Sequence, residues 1–248
     1  MTPDSRVIVE KRFCGPAQSG NGGYCAGLFS RPVKGPAQVK LKAPPPLDTP
    51  IAIRAEQNGA FAAFAGETLI AQMTPATLGV TPPPIPDDAS INAARESYLE
   101  NEASVHVIPG CFVCGPNRQE SDGLRIFAGA TADSNVNADF WTPGSDLAGE
   151  DGLVKDEFLW AALDCPSYFA LRLGPVFCLL GSMTAEVYHR PEAGVRLTVL
   201  AWPKKQEGRK HFADSAIFDS NNNLVAAANA LWIEIADPAL RGKLNPDS

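Results

Sequence analysis

The clearest chemical motif in this sequence is a pair of cysteines. Cys111 and Cys114 form a Cys-x-x-Cys pair, and His106 lies five residues upstream as a third candidate ligand for a metal. A closed structural zinc site needs four ligands and normally takes them from two such pairs, but no second Cys-x-x-Cys occurs in the chain. We therefore predict that the six cysteines are free thiols, packed as small apolar side chains, with no bound metal; a metal at Cys111 and Cys114 is the less favoured alternative.

Two further positions combine a polar group with apolar surroundings. Gly22 and Gly23 follow an asparagine, which is a common N-cap, and open an apolar run that predicts a short helix over 22–31. N–H groups at the start of a helix can stabilise developing negative charge, and glycine lets a ligand approach the backbone closely. Asp164 lies in an apolar helical pattern, where desolvation would raise its pKa and make it a stronger base. The structural alternatives are a tight turn at the glycines and an aspartate that caps a helix fragment restarting at Pro166.

Other catalytic patterns are weaker. No Gly-x-Ser-x-Gly motif occurs, so the sequence gives no support for a Ser/His/Asp triad. Lys204, Lys205, Arg209 and Lys210 form a basic cluster in an otherwise acidic chain. This cluster could bind the phosphates of a ligand, or it could be a solvated hairpin.

The elements that must position these residues occur twice in a similar order: a strand region, a helix, then a run of antiparallel strands. The predicted strands of the first half are residues 6–13, 39–42, 51–55, 60–65 and 68–73. The second half has a predicted helix over 154–173, kinked or broken at Pro166. Its predicted strands are residues 124–128, 136–141, 176–188, 196–202, 213–219 and 224–233.

This order predicts an α+β protein made of two similar units. The first unit comprises residues 1–80, a proline-rich linker follows over 81–105, the second unit comprises 106–236, and 237–248 forms a C-terminal tail. Residues 91–100 have helical composition and could cover an edge between the halves. Each antiparallel sheet would wrap its central helix, and the two sheets would pair into one continuous sheet, which removes exposed edge strands.

Composition and charge limit the classes of function. The chain has 248 residues, 45% of them hydrophobic, and a net charge of −7, which argues against nonspecific nucleic-acid binding. No apolar run reaches the roughly 18–20 residues that a membrane span needs. The N-terminus has no apolar segment typical of a secretory signal, so we expect a cytoplasmic location.

Several segments resemble the hotdog-fold acyl-CoA thioesterases. Their order and spacing carry the resemblance, which covers most of residues 106–235 and, more weakly, the first half. The segments are Asn21-Gly22-Gly23, Cys111-Phe-Val-Cys-Gly115, Gly123-Leu124, Leu163-Asp164, residues 183–191, residues 208–210 and residues 219–232. The tandem arrangement is similar to the double-hotdog members. The resemblance implies a double hotdog that hydrolyses acyl-CoA thioesters.

The resemblance also implies a set of site residues. In relatives of the 4-hydroxybenzoyl-CoA type, the central helix begins with His-Gly-Gly, and a carboxylate stands eight residues after the first glycine. The glycine N–H polarises the thioester carbonyl, and the carboxylate of the partner domain attacks or activates water. Here Gly22 and Gly23 match the glycines, with Asn21 in place of histidine, and Asp164 matches the carboxylate. One composite site between the halves would then be complete.

The second composite site would lack these groups. Ser30 stands where the first half should carry its carboxylate, and Asp156, within Lys155-Asp156-Glu157, stands where the second half should carry its glycine. The resemblance therefore implies that this second site is inactive.

The resemblance further suggests residues that bind the substrate: Asn21, Ser182, Thr184, Arg209 and Lys210. The two hydroxyls could bond to the carboxylate or a water, or they could be ordinary strand residues. The expected ligand is an acyl-CoA or another acyl thioester, with no cofactor beyond the CoA of the substrate, and the chain could form a homodimer. The alternative is a non-catalytic acyl-thioester-binding or regulatory protein, because the usual histidine is missing. A dehydratase is less well supported, since no Asp-x4-His occurs on either predicted central helix.

Overall fold

The computed structural model describes residues 5–132, 134–174 and 176–235; the predicted tail over 237–248 lies outside them. The three α-helices in these residues are α1 (Gly22–Ser30), α2 (Asp88–Asn101) and α3 (Asp156–Ala170). The strands are β1 (Ser5–Ile8), β2 (Ala37–Leu41), β3 (Pro50–Ala55), β4 (Phe61–Ala65), β5 (Thr68–Pro75), β6 (Gly129–Ala130), β7 (Asn137–Trp141), β8 (Cys178–Val187), β9 (Leu197–Glu207), β10 (Lys210–Phe218) and β11 (Leu224–Glu234). None of the described helices has both the length and the apolar character needed to span a membrane.

The strands form one eleven-stranded antiparallel sheet in the order β1-β3-β4-β5-β2-β8-β11-β10-β9-β7-β6. Strands β1–β5 come from the first half of the chain and β6–β11 from the second. The halves join where β2 pairs with β8, with Ala37 opposite Ala185 and Lys40 opposite Ser182. This pairing leaves no open sheet edge between the units, and the predicted continuous sheet is confirmed.

Helices α1 and α3 pack directly on each other because α1 carries glycine at the contact. A Cβ on Gly23 would lie 2.4 Å from the Cβ of Asp164, and a Cβ on Gly27 would lie 2.6 Å from the Cα of Glu157. Residues four apart lie on the same helix face, so the two glycines form one flat contact surface. The nine residues of α1 would be marginal as an isolated helix, and this packing stabilises it.

Helix α3 runs without interruption through Pro166, so the predicted break is wrong. Proline removes one backbone donor from the helix, but two hydroxyl groups donate to carbonyls in the same turn. Ser215 Oγ donates to the oxygen of Leu163 at 2.9 Å, and Ser167 Oγ donates to the oxygen of Asp164 at 2.6 Å. Neither bond reaches the carbonyl of Ala162, which is the one that loses its N–H partner to Pro166. Because α3 continues past the proline, the aspartate lies inside a helix rather than at a cap.

The segment predicted as a linker contains α2, which packs on β6 and β7 of the second unit. Ile91, Ala94 and Tyr98 are the buried residues of α2. The helix therefore covers the far end of the sheet and not an edge between the halves.

Two predicted strands are wrong or shortened. Residues 124–128 form no strand: Leu124 and Ile126 donate their N–H groups to the carbonyls of Phe112 and Val113 in the preceding loop. The first strand ends at Ile8 and is followed by a 3-10 turn, instead of continuing to residue 13.

Candidate active site between the two halves

The contact between α1 and α3 brings the predicted site residues of both halves together. Asp164 Oδ2 accepts a hydrogen bond from the Gly23 N–H at 2.9 Å and another from Asn21 Nδ2 at 3.0 Å. The carboxylate belongs to the second unit, whereas both donors belong to the start of the helix in the first unit. Asp164 is only 2% exposed, yet it lies on the wall of a cavity.

Asn21 has two functions at this contact. Its Oδ1 accepts from the N–H of Tyr24 at 2.9 Å, which caps α1, while its Nδ2 donates to the carboxylate of Asp164. An amide can do both because it carries an acceptor and donors on one group. The predicted substrate-binding residue therefore contacts the carboxylate directly.

The two predicted glycine amides have different partners. The Gly23 N–H bonds to Asp164, so it orients the carboxylate. Gly22 is the first residue of α1, and in the described part of the chain its N–H has no hydrogen-bond acceptor. Gly22 also lines the cavity. A free N–H at a helix N-terminus is a suitable donor to an oxygen that gains negative charge.

The second oxygen of Asp164, Oδ1, is buried and has no hydrogen-bond partner among the described residues. Burial raises the pKa of Asp164 to about 7, with a further rise from negative charge on Cys111, against the lowering effects of the Gly23 and Asn21 hydrogen bonds. A buried oxygen without a donor is unusual in proteins and indicates a place for a bound water or ligand.

The cavity has a volume of about 820 Å³ and is lined by residues of both units. Its wall is mostly apolar and includes Leu41, Ile108, Tyr168, Phe169, Leu179 and Trp232. Apolar pockets of this size with a few polar groups are typical of sites for small organic ligands. Asp164 therefore lies on the wall of a cavity whose other lining residues are mostly apolar.

Two cationic residues at this cavity were missed by the sequence reasoning. Lys42 is exposed and follows β2, and Arg172 follows α3. Arg172 has a φ of 50° and donates to the side-chain oxygen of Asn137 at 3.2 Å. The signal for Lys42 was present in the alternation of apolar and basic residues along its strand, but only the fold shows which end of that strand meets the cavity.

Four predicted substrate-binding residues lie elsewhere. Ser182 and Thr184 alternate along β8 with the core residue Met183, so they point to the opposite face of the sheet from α3. Thr184 accepts a hydrogen bond from Gln38 across the joint between the two units. Arg209 and Lys210 lie at the turn between β9 and β10; neither they nor the two hydroxyls are among the residues lining the cavity.

The second predicted composite site, with Ser30 and Asp156, has a different character. Ser30 and Asp156 both line a cavity of only about 170 Å³ at the other end of the helix pair. Next to it, Arg31 forms a 2.5 Å ion pair with Glu157. Among the residues that the structure describes, no glycine amide and carboxylate meet at this end as Gly23 and Asp164 do.

A group of cysteines could hold a metal at the first site. The sulfur atoms of Cys111, Cys114 and Cys165 lie within 4.8 Å of one another, and all three residues line the cavity. Sequence spacing identified the first two, but Cys165 reaches them only through the fold of α3.

No protein-family model matches the chain, and no curated protein matches it by sequence. Solved structures do match over nearly the whole chain. An acyl-CoA thioesterase II, TesB2, from Mycobacterium marinum is 12% identical, with a TM-score of 0.59 over 96% of this chain and 95% of its own. A tesB protein from Mycobacterium avium subsp. paratuberculosis is 14% identical, with a TM-score of 0.57 over 89% of each chain.

A conserved protein of unknown function with a hot dog fold from Alicyclobacillus acidocaldarius is 12% identical, with a TM-score of 0.57 over 94% of this chain and 93% of its own. At these identities the likeness concerns the fold and not the activity. Together with the continuous sheet and its two packed central helices, it shows that the chain is a double hotdog.

Proposed function

We propose that this protein hydrolyses acyl-CoA thioesters at the composite site between its two halves. The observation that carries the proposal is the carboxylate of Asp164, which is held by the Gly23 N–H at 2.9 Å while its other oxygen remains unpaired beside an 820 Å³ cavity. A fixed base with one free oxygen, next to a free helix-initial N–H, meets the requirements of thioester hydrolysis.

The reaction needs only water as co-substrate. Water binds to Oδ1 of Asp164, and the thioester oxygen accepts a hydrogen bond from the N–H of Gly22. Asp164 takes a proton as the water oxygen bonds to the carbonyl carbon. The C–S bond then breaks, and the departing thiolate recovers that proton, so the products are a carboxylic acid and free CoA. The amide of Gly23 and the side chain of Asn21 hold the carboxylate throughout.

The rest of the substrate fits the remainder of the cavity. The apolar wall suits an acyl chain, and the side chains of Lys42 and Arg172 supply positive charge for the phosphates of CoA in an otherwise acidic protein. The similar structure from Mycobacterium marinum is an acyl-CoA thioesterase II, which supports the same substrate class for this protein.

A hydrolysis assay with acyl-CoA esters of varied chain length tests the proposal. We expect Asp164→Asn to lower kcat by about 10²–10⁴-fold, the usual contribution of a general base. Asp156→Asn is the matched control, because Asp156 lies in the second composite site at the other end of the helix pair. This variant should keep the parental rate. Parental activity in a folded Asp164→Asn protein would remove this carboxylate from the reaction.

A non-catalytic acyl-thioester binder is the second candidate function. The asparagine at position 21 and the near-complete burial of Asp164 favour it. Tight binding of CoA esters by the parent, without release of thiol from any ester, would select this function and reject the hydrolase.

A further inference from the structure

The three cysteines on the cavity wall form a cluster with the dimensions of a metal site. The sulfur atoms of Cys111, Cys114 and Cys165 lie within 4.8 Å of one another, and the sulfurs of Cys111 and Cys165 are 3.7 Å apart. In a tetrahedral zinc site with Zn–S bonds of about 2.3 Å, the sulfurs stand about 3.8 Å apart. We propose that these three cysteines bind one Zn²⁺ ion, a role that is independent of the hydrolytic function proposed above.

The loop that carries the first two cysteines is built as a metal-binding turn. The N–H of Gly115 donates to the carbonyl of Cys111 at 2.9 Å, and a Cβ at Gly115 would lie 2.5 Å from that same oxygen, so the turn needs glycine. This turn brings the sulfurs of Cys111 and Cys114 within 4.8 Å of each other. Donors directed at a sulfur stabilise a thiolate, which is the form that binds metal.

Side chains around the cluster point donors at the sulfurs. Asn21 Nδ2 lies 3.9 Å from the sulfur of Cys111 and 3.8 Å from that of Cys165. His106 Nε2 lies 3.3 Å from the sulfur of Cys114. Such outer hydrogen bonds offset the net negative charge that three thiolates leave on a divalent ion.

The histidine is a hydrogen-bond donor here and not the fourth ligand. Its Nδ1 accepts the N–H of Ile108 at 3.0 Å, so the neutral ring carries its proton on Nε2. That proton points at Cys114, and a protonated nitrogen cannot bind a metal. Because all three cysteines line the cavity, the fourth position of the ion is open to water or to a ligand in the cavity.

Packing alone does not account for this cluster. Cys25, in the middle of α1, is a fully buried free thiol and serves as a small apolar side chain. The clustered cysteines differ because the side-chain N–H groups of Asn21 and His106 lie next to their sulfurs. Thiolate ligands of this kind select zinc among the common divalent ions, whereas magnesium and calcium prefer oxygen.

The test is metal analysis of the whole protein, purified under reducing conditions without chelator. We expect about one zinc per chain, as for a dedicated thiolate site. Cobalt added to the reduced metal-free protein should give an intense thiolate-to-cobalt charge-transfer band and the visible bands of a tetrahedral ion. Cys165→Ser should lose the zinc and weaken the band, while the matched control Cys25→Ser should keep both.

The proposal is overturned if the parent protein holds only traces of zinc and gives no charge-transfer band with cobalt. The parent alone can therefore refute the proposal, even if the variants fail to fold. It is also overturned if Cys165→Ser retains the metal, or if mass analysis shows a disulfide within the cluster in protein kept reduced. A parent that holds zinc but hydrolyses no ester would confirm the metal site and reject the enzyme, so the two proposals fail separately.

Discussion

Replacing Asn21 with serine separates the two contacts that this side chain makes. A serine at an N-cap can still accept from the N–H of Tyr24, which Asn21 now holds at 2.9 Å. It cannot supply the Nδ2 donor that lies 3.0 Å from the carboxylate of Asp164. Asn21→Ala removes both contacts. The pair of variants therefore distinguishes the stability of α1 from the positioning of the carboxylate.

The magnitudes follow from the two contacts. Loss of an N-cap costs about 1 kcal/mol of unfolding free energy, so only the alanine variant should lose that amount. A hydrogen bond to a charged group contributes about 1.5–3 kcal/mol. If that bond to Asp164 is needed for the reaction, both variants should lose about 10–100-fold in kcat/KM, since each 1.4 kcal/mol is a factor of ten.

The measurements are kcat/KM with an acyl-CoA substrate and thermal unfolding on the same samples. Zinc content is measured in parallel, because Asn21 Nδ2 also lies near two of the clustered sulfurs. A serine variant with parental stability, parental zinc and parental kcat/KM would refute the idea that Asn21 positions the carboxylate.

Three further predictions concern other parts of the molecule. Lys42→Met should raise KM for an acyl-CoA by roughly 2–5-fold, as expected for loss of one exposed charge contact, but it should not raise KM for a thioester that lacks the CoA phosphates. Lys210→Met should change neither KM; a rise in KM for Lys210→Met but not for Lys42→Met would indicate that the phosphates bind at the β9–β10 turn. Gly27→Ala should lower the unfolding free energy by about 1–3 kcal/mol, because the new Cβ would lie 2.6 Å from the backbone of α3; an unchanged melting temperature would contradict the tight helix contact. Arg95→Met should cost about 3–5 kcal/mol at pH 8, because it removes the partner 2.5 Å from the fully buried carboxylate of Asp139. Burial raises the pKa of Asp139, so this carboxyl is more easily protonated in the folded state, and the cost should shrink as pH falls; a loss independent of pH would count against an ionised Asp139.

The sequence predicted the elements whose side chains show a clear period. The alternation over 39–42 and 51–55 corresponds to β2 and β3, and the apolar period of the second half corresponds to α3. Residues 124–128 look like a strand, yet they bond to a loop, because the backbone donors of Leu124 and Ile126 meet carbonyls brought there by the fold. Local pattern cannot distinguish a strand from an extended segment with such partners.

The site was harder to predict because its parts meet only in three dimensions. The pairing of Asp164 with the glycines came from a family resemblance and not from spacing. Whether Ser182 and Thr184 reach the carboxylate depends on which face of β8 meets α3, and the sequence did not fix that face, because a strand reverses its faces with every residue. Cys165 joins Cys111 across 54 positions of the chain, a contact that no Cys-x-x-Cys rule anticipates.

The two ends of the α1–α3 pair differ in the groups that they offer to a ligand. At one end the free N–H of Gly22 and the paired Asp164 face the large cavity. At the other end, α3 begins with Asp156 and Glu157, whose carboxylates occupy the positive end of the helix dipole that an anionic ligand would need. The ion pair between Glu157 and Arg31 and the small volume of about 170 Å³ further limit that end. If the proposed function is correct, the phosphates of an acyl-CoA would be repelled at the end with Asp156 and Glu157 and accommodated at the end with Gly22, so each chain should bind a single acyl group.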